Sequence, residues 1–135
     1  MISLIFLDPV QVRLVGGSRP SEGRLEVLYN NVWGSVCNHG FHINEGNVVC
    51  RQLNYSGVIS VDVPVPPGVD PIWLDNVSCA GWETSIAECD HRGWGSHDCD
   101  HMDDVGLRCF DLESQAQGML INAIARELFT YLKSD

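Results

Sequence analysis

Apolar and polar residues alternate along Arg24 to Tyr29: Leu25, Val27 and Tyr29 fall on one face, and Arg24, Glu26 and Leu28 on the other. A period of two is the signature of a strand with one face against a core. Asn30-Asn31 follows as a turn, because asparagine tolerates positive φ and hydrogen-bonds to its own backbone. Val32 to Cys37 returns as a second strand, in which Trp33 has the bulk to fill the core of a small domain. The period then changes. Gly46, Val49, Cys50 and Leu53 recur at steps of three and four, which places them on one helix face, with Asn44 positioned to cap the start.

The remaining pattern is shorter. Val12 to Leu14 reads as a strand ended by Gly16-Gly17, Val58 to Val63 as another, and Ile72 to Leu74 as a buried one. Val63 to Pro71 holds Pro64, Pro66, Pro67 and Pro71, so it is a loop that donates little to a sheet. Thr84 to Glu88 predicts a short helix, Asp90 to Met102 an irregular polar stretch, and Val105 to Cys109 the last strand. Ser114 to Asp135 changes character again. Leu120, Ile124, Leu128 and Leu132 lie at steps of four beside Met119, Ala123 and Phe129, an amphipathic helix of about four turns weakened by Gly118. Asn122, Arg126, Glu127 and Lys133 exclude a membrane span there. Two readings fit the helix: one packs it on this domain or starts the next, the other uses it to oligomerise or to lie on a membrane surface.

The apolar start, Met1 to Leu7, lacks a basic n-region and is shorter than a complete signal sequence. It reads either as a signal remnant or as a non-native start. The division is an N-terminal extension (1–11), one domain (12–110) and a C-terminal helical extension (111–135), as 135 residues allow one domain plus short additions. The class is α+β, a curved antiparallel sheet cradling one main helix.

So small a core invites covalent help. Cys37, Cys50, Cys79, Cys89, Cys99 and Cys109 are six in number, which suits a disulfide framework in an oxidising compartment. They allow 15 pairings, among which the sequence does not choose. Zinc is the rival, but there is no CxxC pair, and gaps of 12, 28, 9, 9 and 9 residues do not repeat a zinc-ribbon pattern. The formal charge is −10 and Lys133 is the one lysine. Nucleic acid as a dedicated partner is thereby excluded, since neutralising phosphates needs a basic surface. Residues 12–110 alone carry −7, so polyanions would need a local arginine cluster or a bound cation to overcome the repulsion.

RLEVLYNNVWGSVC followed by NVVCRQLNYSG resembles the first half of a scavenger receptor cysteine-rich (SRCR) domain. GVDPIWLDNVSCAGWETSIAEC, WGSHDC and HMDDVGLRC resemble the second half, and the likeness runs from about Val12 to Phe110. Six cysteines are similar to the group A subtype. The resemblance implies the pairs Cys37–Cys99, Cys50–Cys109 and Cys79–Cys89. It also implies two cation sites: Asn38, His39 and Asp103 by motif for the first, and His39, Asp75 and Asp98 for the second. Here the sequence departs from the family, with Asn38-His39 where an Asp-Asp pair is usual and Phe41-His42 where Trp-Asp is usual.

The run from His97 to Asp104 is dense in oxygen ligands and suits a hard cation such as calcium. Its carboxylates read equally as a solvated face or as acceptors within turns. Histidine is a poor calcium ligand and a good zinc or copper ligand, so His39, His42, His97 and His101 form a second metal candidate. The same histidines could make binding depend on pH, which a curve flat from about pH 5 to 7.5 would refute. Gly23 to Cys37 resembles a segment associated with bacterial-surface recognition in the family. Its apolar residues also read as core, leaving Arg24 and Glu26 as the exposed members able to touch a ligand. Asn54 and Asn76 lie in glycosylation sequons.

Catalysis has little support. There is no G-x-S-x-G elbow and no H-E-x-x-H, and the adjacency of Ser96 and His97 does not build a nucleophile and base. The expected function is a secreted or cell-surface module that binds extracellular proteins or polyanionic and microbial surfaces, with calcium as the candidate assisting cation. The alternatives are an assembly module that homo-oligomerises through the C-terminal helix and, last, a metal-dependent enzyme.

Overall fold

The computed structural model describes residues 10–133; the expected signal remnant at residues 1–7 and the last two residues of the C-terminal extension lie outside the described residues. Six strands form one sheet: β1 (Val12–Gly16), β2 (Glu22–Tyr29), β3 (Val32–Val36), β4 (Val58–Ser60), β5 (Ile72–Leu74) and β6 (Gly106–Cys109). Its order is β4-β6-β2-β3-β5, with β1 also paired to β2. β2 and β3 make the expected hairpin, with Leu28 opposite Trp33 and Tyr29 opposite Val32. Asn30 and Asn31 both have positive φ, 50° and 64°, the backbone that a two-residue hairpin with the right-handed twist demands. The sheet is not wholly antiparallel: β3 and β5 run parallel, joined by a connection that includes α1 and the proline-rich loop.

The main helix, α1, spans Ile43–Gln52. His42, not Asn44, stands at its N-cap, and its backbone N–H donates to the buried Glu45 carboxylate at 2.7 Å. The other oxygen of Glu45 accepts from the Cys79 N–H at 2.9 Å, so one carboxylate fixes both the helix start and the loop that follows β5. Val48, Val49 and Cys50 are buried against Leu25, Val27, Val36, Leu74, Ile86 and Leu107, which form the core. Gly46 admits no side chain, because an added Cβ would lie 2.8 Å from Val61 and 2.9 Å from Val58. That close approach is what the helix–sheet contact requires.

Trp33 is not a core residue. It is half-buried, and the Arg13 guanidinium lies 4.1 Å over its ring. The aromatic packing falls instead to Tyr29, which stacks on Trp94 at 4.1 Å and meets Trp73 edge-on at 5.1 Å. The predicted helix at Thr84 to Glu88 is a single 3-10 turn, Ile86–Glu88, and a second such turn covers His101–Asp103.

Three disulfides close the fold: Cys37–Cys99, Cys50–Cys109 and Cys79–Cys89, the pairing that the resemblance implied. The first two close loops of 62 and 59 residues, where a crosslink removes most freedom from the unfolded chain, about 4 kcal/mol each in the chain-entropy model. The C-terminal helix, α2, runs Leu112–Lys133, starting before the predicted Ser114. Met119, Leu120, Ile121, Ile124, Leu128, Phe129, Tyr131 and Leu132 are all exposed. No helix is long and apolar enough to cross a membrane among the described residues.

Candidate functional site

Asp75 follows β5 and is fully buried, with 0% of its surface exposed. A buried carboxylate is costly unless it is paired and hydrogen-bonded. The partner is supplied by the segment after Cys89. The Cys79–Cys89 disulfide folds that segment back along β5. Ser78 and Asp90 exchange backbone hydrogen bonds at 2.8 and 3.0 Å, the Arg92 N–H donates to the Asp75 carbonyl at 3.2 Å, and the Gly95 N–H to the Trp73 carbonyl at 2.8 Å. The Arg92 side chain is thereby set over Asp75. Its NH1 lies 3.1 Å from Asp75 Oδ2 and 3.3 Å from Asp98 Oδ1. His39 completes the group, its Nδ1 at 3.6 Å from Asp75 Oδ1 and 3.5 Å from Asp98 Oδ1. Asp75 Oδ1 is buried and has no hydrogen-bond partner.

The structure therefore gathers His39, Asp75 and Asp98 as the second implied cation site required, their ligand atoms within 4.8 Å of one another. His39 and Asp103 also approach within that distance, beside Cys37 and Cys99. Those two cysteines are joined to each other and hold no thiolate for a metal. The first implied site is left with Asp103 as its single carboxylate. Asn38 joins Asp103 through the backbone, its N–H donating to the Asp103 carbonyl at 2.8 Å. Calcium takes six to eight oxygen ligands. One carboxylate, an amide and an imidazole at the first position, and two carboxylates already bridged by a guanidinium at the second, do not fit that demand.

The histidines do not converge. His42 stands at the α1 N-cap, and His97 Nδ1 accepts from the Cys99 N–H at 3.1 Å. His101 Nδ1 lies 3.0 Å from Asp104 and its Nε2 2.7 Å from the Asp70 carbonyl, tying the proline-rich loop to the turn that precedes β6. Among the described residues, only His39 of the four joins a metal-competent cluster.

Glu26 is not an exposed ligand contact. It is 2% exposed, with Arg13 at 2.6 Å on one oxygen and Arg24 at 3.1 Å on the other. The alternation of β2 put it correctly on the face opposite Leu25 and Val27, but the two arginines cover that face. Arg24 also donates to the Pro66 carbonyl, and its side chain is 15% exposed. The same commitment runs through the domain. Arg108 pairs with Glu22, and Arg51 donates to the carbonyls of Gly81 and Glu83. Glu22 is held below the ordinary carboxylate range by hydrogen bonds from Ser18 and Arg108. Glu83 is also lowered: burial opposes the charge, but hydrogen bonds from the Ala80 and Gly81 N–H groups outweigh it.

The asparagines of both sequons are exposed. Asn54 and Asn76 sit at positive φ, 69° and 53°, where asparagine is tolerated. Arg92, which organises the site, was missed by sequence reasoning. Its one signal is to be a lone cation in a stretch holding Asp90, Asp98, Asp100, Asp103 and Asp104.

Comparison with known proteins agrees with this geometry. Residues 15–110 match the model of the scavenger receptor cysteine-rich domain. Human CD5 antigen-like is 48% identical over 106 residues, which are 76% of this chain and 30% of that protein. Lysyl oxidase homolog 4 of Bos taurus is 47% identical over 106 residues, 76% of this chain and 14% of that protein. The chain thus spans less than a third of these relatives. Among solved structures, the dimeric form of the SRCR domain of mouse MARCO aligns with a TM-score of 0.63 at 41% identity, covering 73% of this chain and 94% of that one. The third SRCR domain of murine neurotrypsin gives 0.66 at 37%, covering 74% and 95%. The match over residues 15–110 and these identities agree, and the chain belongs to the scavenger receptor cysteine-rich family.

Proposed function

We propose that this chain is an extracellular recognition module that binds protein ligands through its folded surface and performs no chemistry of its own. The observation that carries this reading is the commitment of Arg13, Arg24, Arg51, Arg92 and Arg108 to internal carboxylates and carbonyls, in a domain of charge −7. A scavenging surface for polyanions needs arginines free to meet phosphate or sulfate. An acidic surface whose arginines are so engaged favours protein partners, met by exposed apolar residues such as Trp82, Val69 and Met102. Three disulfides suit a secreted or cell-surface location, where the exposed Asn54 and Asn76 would carry glycans. The test is saturable binding of the oxidised chain to an array of extracellular proteins. The reading expects at least one partner whose binding persists in about 0.5 M NaCl. Binding only to highly sulfated or phosphorylated probes would overturn it.

A second reading has its own observation. The exposed apolar side of α2 favours self-assembly, and the MARCO domain is described in a dimeric form. Light scattering on the full chain and on a version ending at Phe110 separates the two. Assembly predicts a larger mass for the full chain only; equal monomer masses end it.

A further inference from the structure

The SRCR likeness implies a divalent cation at Asp75 and Asp98, and this chain departs from it. We propose that the Arg92 guanidinium takes the place of that cation, so that the acidic pair is bridged and half its charge offset from within, and the site excludes calcium. Three observations converge. Arg92 NH1 contacts both carboxylates, at 3.1 Å to Asp75 and 3.3 Å to Asp98, a bridging position between them. The side chain is not there by chance of rotamer. The backbone of Arg92 is pinned by its N–H to the Asp75 carbonyl, one rung of the pairing that the Cys79–Cys89 disulfide enforces. Asp75 is wholly buried, so its charge needs a permanent partner, and a covalently attached guanidinium is always present and always charged.

The other ligands argue the same way. His39 brings a nitrogen to a site that a hard cation would want filled with oxygen. Asp75 Oδ1, the oxygen without a hydrogen-bond partner, faces the nitrogen His39 Nδ1 at 3.6 Å. A divalent ion entering here would meet the positive charge of Arg92 at close range to both carboxylates.

The test is calorimetric titration of calcium into the oxidised, metal-stripped full chain. Wild type and Arg92→Lys are expected to show no saturable binding up to about 10 mM, beyond the weak range of extracellular calcium modules. Arg92→Gln, which keeps a polar side chain but removes the charge, is expected to gain saturable binding at least about tenfold tighter than that limit, lost again on adding Asp98→Asn. Saturable binding by wild type that Asp98→Asn abolishes would overturn the proposal. So would an Arg92→Gln variant with native near-UV dichroism that still ignores calcium. The Arg92 Nε–H resonance of wild type gives a reading that needs no variant: it should stay in place through the titration, and its displacement by calcium would overturn the proposal.

Discussion

Glu26 and Asp75 are both buried carboxylates, and each is explained by the arginines that reach it. Glu26 sits under Arg13 and Arg24, and Asp75 under Arg92. Neither burial is written in the local pattern. Alternation along β2 assigned Glu26 to the polar face, which is where it lies. Exposure did not follow, because Arg13 arrives from the neighbouring strand, where it pairs with Glu26 in the sheet register. Removing such a carboxylate strands its partners more than it frees them. Glu26→Ala should cost about 1–3 kcal/mol of stability, less than a fully buried pair because Arg13 can turn to water. Urea unfolding of the oxidised protein measures it. A change below about 0.5 kcal/mol, the range of an ordinary surface substitution, would show that Glu26 is exposed in solution.

At the scale of elements, the strands, the hairpin and α1 were legible because each has a period or a turn residue of its own. Leu25 and Val27 are fully buried, as two-residue alternation required, and Asn30-Asn31 makes the turn that asparagine permits. What could not be read is what the connections impose. The parallel β3–β5 pair depends on the path of the chain through α1 and the proline-rich loop. The approach of Arg92 to Asp75 depends on a disulfide closing over a separation of 10 residues. The cation positions carried by the resemblance were brought together at His39, Asp75 and Asp98, yet Arg92, which bridges the two carboxylates, lies outside the motif. The β2–β6 junction carries a prediction of its own. Ser18 and Arg108 lower the pKa of Glu22 beneath its ordinary 4.5, so folding is favoured while the carboxylate is ionised. That contribution is complete above the ordinary carboxylate value and is lost as pH falls through the lower folded value. Thermal melts from pH 7 to 2 should therefore fall steeply on the acid side of 4.5, and less steeply for Glu22→Gln. Parallel curves would contradict this.

At the scale of the molecule, charge is the organising quantity. The chain is acidic overall, at −10, and its domain places most of its arginines in internal pairs. The electrostatic surface seen by an approaching ligand is then dominated by carboxylates. α2 adds Arg126 and Lys133 beside an exposed apolar side, but it lies outside residues 15–110 that match the family. The sequence already showed the charge imbalance; the structure adds that five of the six arginines of residues 12–110 are engaged, leaving Arg19 exposed. The most direct test of this account is surface plasmon resonance of the immobilised, oxidised chain against dextran sulfate at about 0.15 M NaCl, with calcium and with chelator. An acidic domain whose arginines are engaged in internal pairs predicts no saturable binding in either condition. Saturable binding in both would show that arginines are free to meet a polyanion, and binding that appears only with calcium would show that a cation, not Arg92, governs the acidic site.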